Sequence, residues 1–278
     1  MSDYIRGKTI LVTGAGSGFG RLISQKAAAK GARVICADVA ADAAETVVSG
    51  IRASGGDAWA IAVDVARIED MRAVVALAVE VTGRVDVLVN NAGIMPLAFI
   101  ADHDRALDSW NRCIDINFKG MMNGVVAAYD QMMAQGDGHV VNMSSIYGNF
   151  PVVGAAVYGA SKAAVDYFSH SLRQESQGRI RVTVIKPTGV PTTGIGSAVV
   201  NTKAALGILG QNAGRFGDLI QQMGSGTVPQ EAADPESISY NMLAAEHIAD
   251  AVLYAINQPL GVSVSDLTVR ASGDLYVL

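Results

Sequence analysis

Cysteine is nearly absent. Cys36 and Cys113 are the only two in 278 residues; they stand far apart and form no C-x-x-C. They cannot build a disulfide framework, and they read as two small buried apolar residues. Proline is also scarce, seven residues against thirty glycines, which excludes a proline-rich linker protein and points to tight turns and close backbone approaches. Only 17% of residues are charged, and Lys+Arg 21 against Asp+Glu 26 leaves −5 with no markedly basic stretch. Nucleic-acid binding, whose affinity comes largely from cations set against phosphates, has no foothold in that balance. Long hydrophobic runs are missing too. The longest, residues 73–79, falls well short of the ~18 residues needed to cross a bilayer. The first residues show no charged segment followed by an apolar one, so no signal peptide is visible. A soluble cytoplasmic protein with no membrane partner is the expectation.

What is present is core-forming material. Half of the residues are hydrophobic, which excludes disorder for most of the chain. Short apolar, β-branched runs at residues 9–13, 33–37, 59–63, 85–90, 139–143, 181–186 and 267–270 alternate with helical patterns at 18–30, 41–53, 68–82, 108–133, 158–177 and 246–258. Runs such as Ile10-Leu11-Val12 and Val87-Leu88-Val89 are apolar on both faces, as strands of a covered parallel sheet must be. Seven strands joined by helical crossovers predict an α/β fold, a Rossmann-type doubly wound parallel sheet with helices on both faces. No repeat and no low-complexity linker divides the chain, so a single domain over 1–278 is expected. Residues 192–245 interrupt the rhythm with glycines and apolar residues, and Lys203 and Arg215 are the only cations there. A connection of that length predicts a lid over the substrate.

The first strand runs into Thr13-Gly14-Ala15-Gly16-Ser17-Gly18-Phe19-Gly20, with a helix behind it. Glycines in that place allow a tight turn, close approach to a pyrophosphate and close helix–strand packing, and the helix N-terminus supplies free N–H groups and a positive dipole end. An acid, Asp38, ends the second strand 18 residues after Gly20, close to the ~20 expected of a group that binds the adenosine ribose. Its carboxylate would repel a 2′-phosphate, and Val39 rather than an arginine follows, so NAD is favoured over NADP.

These residues resemble the classical branch of the short-chain dehydrogenase/reductase family, over nearly the whole chain. Gly14, Gly18 and Gly20 match its T-G-x-x-x-G-x-G. Asn90-Asn91-Ala92-Gly93 is similar to its N-N-A-G, and Asn117-Phe118-Lys119-Gly120 to its N-x-x-G. Tyr158-Gly159-Ala160-Ser161-Lys162 matches Y-x-x-x-K, and the usual 13-residue gap selects Ser145 over Ser144 as the partnering serine. The resemblance implies that Asn117, Ser145, Tyr158 and Lys162 are catalytic. It implies cofactor contacts from the cradle (Gly14, Gly16, Ser17, Gly18, Phe19, Gly20), Asp38, Asp64, Val65, Asn91, Ala92 and Gly93. Tyr158, Lys162, Pro187, Val190 and Thr192 would complete that set. The family commonly has Pro-Gly after the sixth strand, whereas this chain has Pro187-Thr188-Gly189, which leaves the geometry of that turn open. A homotetramer is a further implication of the resemblance.

The residue types suit hydride chemistry. A tyrosine is a poor base at neutral pH because a free phenol side chain titrates only near pH ~10. Tyr158 and Lys162 are i and i+4 on one helix, so they share a face. A nearby ammonium, with an oxidised nicotinamide, would favour the phenolate, and lowering the pKa by ~3 corresponds to roughly 4 kcal/mol. Ser145 would hydrogen-bond the substrate oxygen, and by resemblance Asn117 orders a water leading to Lys162. The segments 94–101, 145–157 and 192–245 should line the pocket. Met95, Leu97, Phe99, Ile146, Tyr147, Phe150, Val152 and Ile195 make it apolar, with Met95, Ser145, Tyr147 and Tyr158 on the substrate. The expected reaction is hydride transfer between NAD and a hydrophobic secondary alcohol or ketone. The alternatives are an NADPH-dependent 3-oxoacyl-carrier-protein reductase and, in another class, a catalytically silent dinucleotide-binding sensor. The four histidines form no ligand cluster, so no metal is expected; no G-x-S-x-G or P-loop motif occurs.

Overall fold

The computed structural model describes residues 3–190 and 193–277. Seven strands, β1 (Thr9–Thr13), β2 (Arg33–Asp38), β3 (Asp57–Ala62), β4 (Val87–Asn90), β5 (Gly138–Met143), β6 (Ile180–Pro187) and β7 (Asp266–Val269), form one sheet in the order β3-β2-β1-β4-β5-β6-β7. Every pairing in it is parallel. Successive side chains of a strand point to opposite faces, and here both faces are covered. Ile10, Val12, Val34, Cys36, Val87 and Val89 pack on one side under helices α1 (Gly18–Ala29), α2 (Ala41–Ala53) and α9 (Ala245–Ile256). Their neighbours Leu11, Ile35, Ala37, Leu88 and Val140 face the other way, under α3 (Ile68–Thr82), α5 (Met121–Gln135) and α6 (Ala156–Glu175). The predicted doubly wound sheet is therefore the fold, and both cysteines are buried and free.

One predicted element divides. The single helix expected over residues 108–133 is instead α4 (His103–Ile114), a π-turn (Asp115–Gly120) and α5. The apolar pattern runs on through a π-turn almost unaltered, whereas backbone pairing does not, and such turns concentrate at functional sites. The region 193–245 holds two 3₁₀ turns (Gly194–Ala198, Thr202–Asn212), α7 (Ala213–Ser225) and the short α8 (Gln230–Ala233). No helix among the described residues is long and apolar enough to cross a membrane.

The strand order reverses between β1 and β4, and the carboxyl ends of strands at such a switch point form a ligand crevice. One buried group away from it carries a prediction. His139 on β5 is 1% exposed and its Nε2 pairs with Thr183 Oγ1 at 2.8 Å. Burial, with Arg181 and Lys8 nearby, holds its pKa down at about 3. The unfolded chain takes up this proton near pH ~6.5 and the folded chain does not. Stability is thus whole above pH ~6.5 and is lost as pH falls towards about 3, at about 1.4 kcal/mol per pH unit. Urea unfolding at pH 7.5 and 4.5 checks this: His139→Leu should show a shallower acid loss than wild type, and parallel losses would remove His139 from the account.

Candidate active site

At the carboxyl end of β1 the chain turns through Gly14, whose φ of +65° is left-handed. A Cβ on Gly20 would stand 2.0 Å from Gly14 O, so helix α1 packs onto the turn only because that position is glycine. Asn91 fixes the turn from β4: its Nδ2 donates to Thr13 O at 2.9 Å and Gly14 O at 3.2 Å, and Thr13 Oγ1 accepts from Asn91 N and Ala92 N. Ser17 is the N-cap of α1, and its side chain makes no capping hydrogen bond. Asp38 closes the far end, with Oδ2 accepting from Gly16 N at 2.8 Å and Oδ1 from Ala40 N at 2.9 Å. Between them lies a cavity of about 450 Å³ bordered by Gly14, Ser17, Gly18, Phe19, Asp38, Asp64, Val65 and 91–94, and also by Arg112. A glycine cradle, unengaged helix N–H groups and a carboxylate at ribose distance along the chain fit a dinucleotide.

A second cavity of about 430 Å³ shares Phe19, Asn91, Gly93, Thr193 and Ile195 with the first, so the two form one cleft. Ser145, Tyr158 and Lys162 border it and are 6%, 4% and 4% exposed. Tyr158 packs edge-on to Tyr147 with ring centroids 5.4 Å apart, and Lys162 Nζ lies 5.9 Å from the Tyr158 ring centre. Nζ donates to Met143 O at 2.8 Å, and an ammonium has two further protons to give. The structure also separates the two serines. Ser144 Oγ donates back to Lys162 O at 3.2 Å, while Ser145 Oγ accepts from Tyr147 N at 3.3 Å.

In the chain alone, burial pushes the Tyr158 pKa up to about 12, against which the Ser145 hydroxyl pulls. Burial likewise brings Lys162 down to about 8, with Cys113 and Asp166 acting the other way. Desolvation opposes the charged form of each group, so the chain alone holds a neutral phenol. An oxidised nicotinamide dinucleotide, when bound, supplies the hydride acceptor and a fixed positive charge.

Comparison with known proteins agrees with this geometry. Residues 8–204 match the family model described as short chain dehydrogenase. The chain belongs to the short-chain dehydrogenase family. It is 34% identical to an uncharacterized oxidoreductase of Listeria monocytogenes, over 95% of this chain and 96% of the relative. A 2,5-dichloro-2,5-cyclohexadiene-1,4-diol dehydrogenase of Sphingobium indicum is 36% identical over 69% of this chain and 76% of its own. Among solved structures, a Burkholderia phymatum short-chain dehydrogenase/reductase in complex with NAD superposes with a TM-score of 0.75 at 25% identity, covering 96% of this chain and 90% of that one. A metagenomic short-chain oxidoreductase in complex with NADP gives 0.72 at 25% identity, covering 96% and 98%. The protein is accordingly an oxidoreductase of this family, served by a nicotinamide dinucleotide.

Within this short-chain dehydrogenase the expected residues divide by position. Pro187, Val190, Met95, Leu97, Tyr147 and Ile195 border the second cavity. Gly16 and Gly20 instead pack the turn, and Thr192 lies outside the described residues. Asn117 sits 2% exposed in the π-turn and clamps Ile94 from both sides, its Oδ1 accepting from Ile94 N and its Nδ2 donating to Ile94 O, each at 2.9 Å. Phe99, Ile146, Phe150 and Val152 do not border the cavity, and Phe150 is 58% exposed. Thr188 needs no left-handed backbone, and its N–H donates to Val269 O at 3.1 Å, so the turn is sound without the usual glycine. The sequence reading missed Phe216 and Leu219 of the 193–245 region, and Tyr276, whose hydroxyl lies where a Cβ of Gly189 would stand.

Proposed function

We propose that this short-chain dehydrogenase transfers hydride between NAD(H) and a neutral, hydrophobic secondary alcohol or ketone, with Tyr158 as general acid/base. One observation carries the reading. Ser145, Tyr158 and Lys162 lie together, nearly water-free, where an apolar cavity opens into the dinucleotide cleft. In reduction the neutral Tyr158 hydroxyl gives its proton to the carbonyl oxygen, and Ser145 steadies the developing charge. Lys162 offers its two remaining protons to ribose hydroxyls and favours phenolate once the proton has left. Asn117 holds the 94–101 segment against the cleft. Gly14, Ser17 and Gly18 take the pyrophosphate, Asp38 the adenosine ribose, Asp64 and Val65 the adenine side, and Pro187 and Val190 the carboxamide.

A cyclic diol is the substrate named for the Sphingobium relative, which supports a compact, uncharged carbinol here. The chain works as one catalytic domain with residues 192–245 as lid. We place it in the cytoplasm and, as the family resemblance implies, as a homotetramer, for which light scattering should return four times the chain mass.

The deciding experiment supplies NAD or NADP with a panel of hydrophobic secondary alcohols and follows reduced-nicotinamide absorbance. Turnover with NAD supports the reading, and silence despite cofactor binding sinks it. The pH profile is a second check. Lys162 is charged below about 8, so kcat/KM for ketone reduction should be level at pH 6–7.5. Above pH 8 it should fall about tenfold per pH unit as that proton is lost. Lys162→Arg, which does not titrate there, should remove the fall from whatever activity remains. A wild-type profile level to pH 9.5 would count against the role given to Lys162.

A further inference from the structure

The proposed reaction uses Ser145, Tyr158 and Lys162, yet the same cavity has other polar atoms with nothing to bind. Thr188 is 8% exposed, borders the cavity, and its buried Oγ1 has no hydrogen-bond partner. Asn241, from the end of the lid, borders the same cavity and a neighbouring one, and its buried Oδ1 is equally unpartnered. The Tyr276 hydroxyl reaches the cavity from the C-terminal segment and lies over Gly189, where an added Cβ would stand 1.6 Å from it. Buried polar atoms are rarely left unpaired, and each that is calls for an explanation.

These three groups are held in place. Thr188 N–H is tied to β7 through Val269 O, and Asn241 N–H to Ala232 O at 3.1 Å. The segment bearing Tyr276 is stitched to the lid, with Val277 N donating to Ile208 O at 3.0 Å and Asn212 Nδ2 to Leu275 O at 2.9 Å. Their chemistry is specific. Two hydroxyls can donate or accept, and the amide oxygen only accepts. Lys162, already engaged, is the one cation bordering the cavity among the described residues, so a carboxylate or phosphate would find no counter-charge. A neutral hydroxyl, donating its one proton to Asn241 and accepting from both Thr188 and Tyr276 on its two lone pairs, satisfies all three.

We propose that Thr188, Asn241 and Tyr276 form a second polar pole that takes a second, uncharged oxygen of the substrate, making this enzyme selective for diols and hydroxyketones over mono-alcohols. This rests on the alcohol/ketone reading above. A site built to hydrogen-bond a substrate hydroxyl discriminates strongly against the analogue that lacks it, because its own groups are then left unpaired.

The test uses the full chain and matched probes, cis-1,2-cyclohexanediol and cyclohexanol. NADH binding is measured first by fluorescence; its absence would overturn the alcohol/ketone reading, and this inference with it. Once NADH binding is established, the expected result is at least tenfold higher kcat/KM for the diol with NAD supplied as hydride acceptor, or tighter binding of the diol to the enzyme–NADH complex. Thr188→Val and Tyr276→Phe should each cut that preference about tenfold, through KM, and Thr188→Ser should restore it. Equal treatment of the two probes, or binding of neither to the NADH complex, overturns the inference alone. So does a Thr188→Val variant that loses NADH affinity while keeping its preference, since the hydroxyl would then serve the cofactor.

Discussion

Tyr158→Phe should lower kcat by about 10³-fold, within the usual range for removing a general acid/base, while NADH binds as before. The substitution deletes one oxygen and leaves the ring. That ring is 4% exposed and packed edge-on against Tyr147, so the fold and the cavity wall survive. Only the proton route is lost, because Tyr158 is the phenol whose ring lies 5.9 Å from Lys162 Nζ. The outcome separates two classes of function. An enzyme loses turnover and keeps its cofactor, whereas a dinucleotide-binding sensor changes in neither respect. A variant retaining more than a tenth of wild-type kcat would move the proton transfer to another group, with Tyr147, which borders the same cavity, the next to substitute. Stopped-flow hydride transfer with reduced cofactor, beside a fluorescence titration of NADH, reads both quantities on one preparation.

The sheet and the cradle were legible in the sequence because each depends on local chemistry. Ile10-Leu11-Val12 is apolar on both faces and must lie in a covered sheet, Gly14 and Gly18 take left-handed backbone, and Gly20 sits where only glycine permits the backbone approach. Ser145 could be chosen over Ser144 from a spacing, and the structure turns Ser144 away to Lys162 O. What escaped depends on tertiary placement. The π-turn around Asn117 leaves the apolar rhythm intact, so one helix was expected where two are joined. Ile146 and Phe150 adjoin Ser145 in sequence, yet one is core and the other solvent-facing, since proximity along a loop does not fix the direction of a side chain. Tyr276 lies more than a hundred residues beyond Tyr158 in no motif, and only the docking of the C-terminal segment onto Ile208 and Asn212 brings it to the cavity. The neutral state of Tyr158 was hidden for a related reason: an i, i+4 pair shows the ammonium but not the burial that outweighs it.

Wild-type enzyme should prefer NAD over NADP by about 100-fold in kcat/KM, and Asp38→Ser combined with Val39→Arg should reverse that preference. Asp38 is not a loose surface acid. Both carboxylate oxygens are anchored on backbone N–H groups, Gly16 on one side and Ala40 on the other, so the charge cannot swing away from an incoming phosphate. Like charges at about 4 Å cost about 4 kcal/mol at the effective dielectric of a protein surface. The half-exposed groove reduces this to about 2.7 kcal/mol, which is the 100-fold. Val39 is 67% exposed, so an arginine there reaches the groove without disturbing the core beneath β2. Losing the Gly16 anchor should cost about 1 kcal/mol of stability, visible as a small fall in Tm, and a control with Val39→Arg alone isolates the added cation. Initial rates with each cofactor at fixed alcohol concentration decide the matter. Were the wild type to favour NADP, the assignment of Asp38 to the ribose would fall, and Arg112, the cation bordering the same groove, would become the partner for the 2′-phosphate, to be tested by Arg112→Ala.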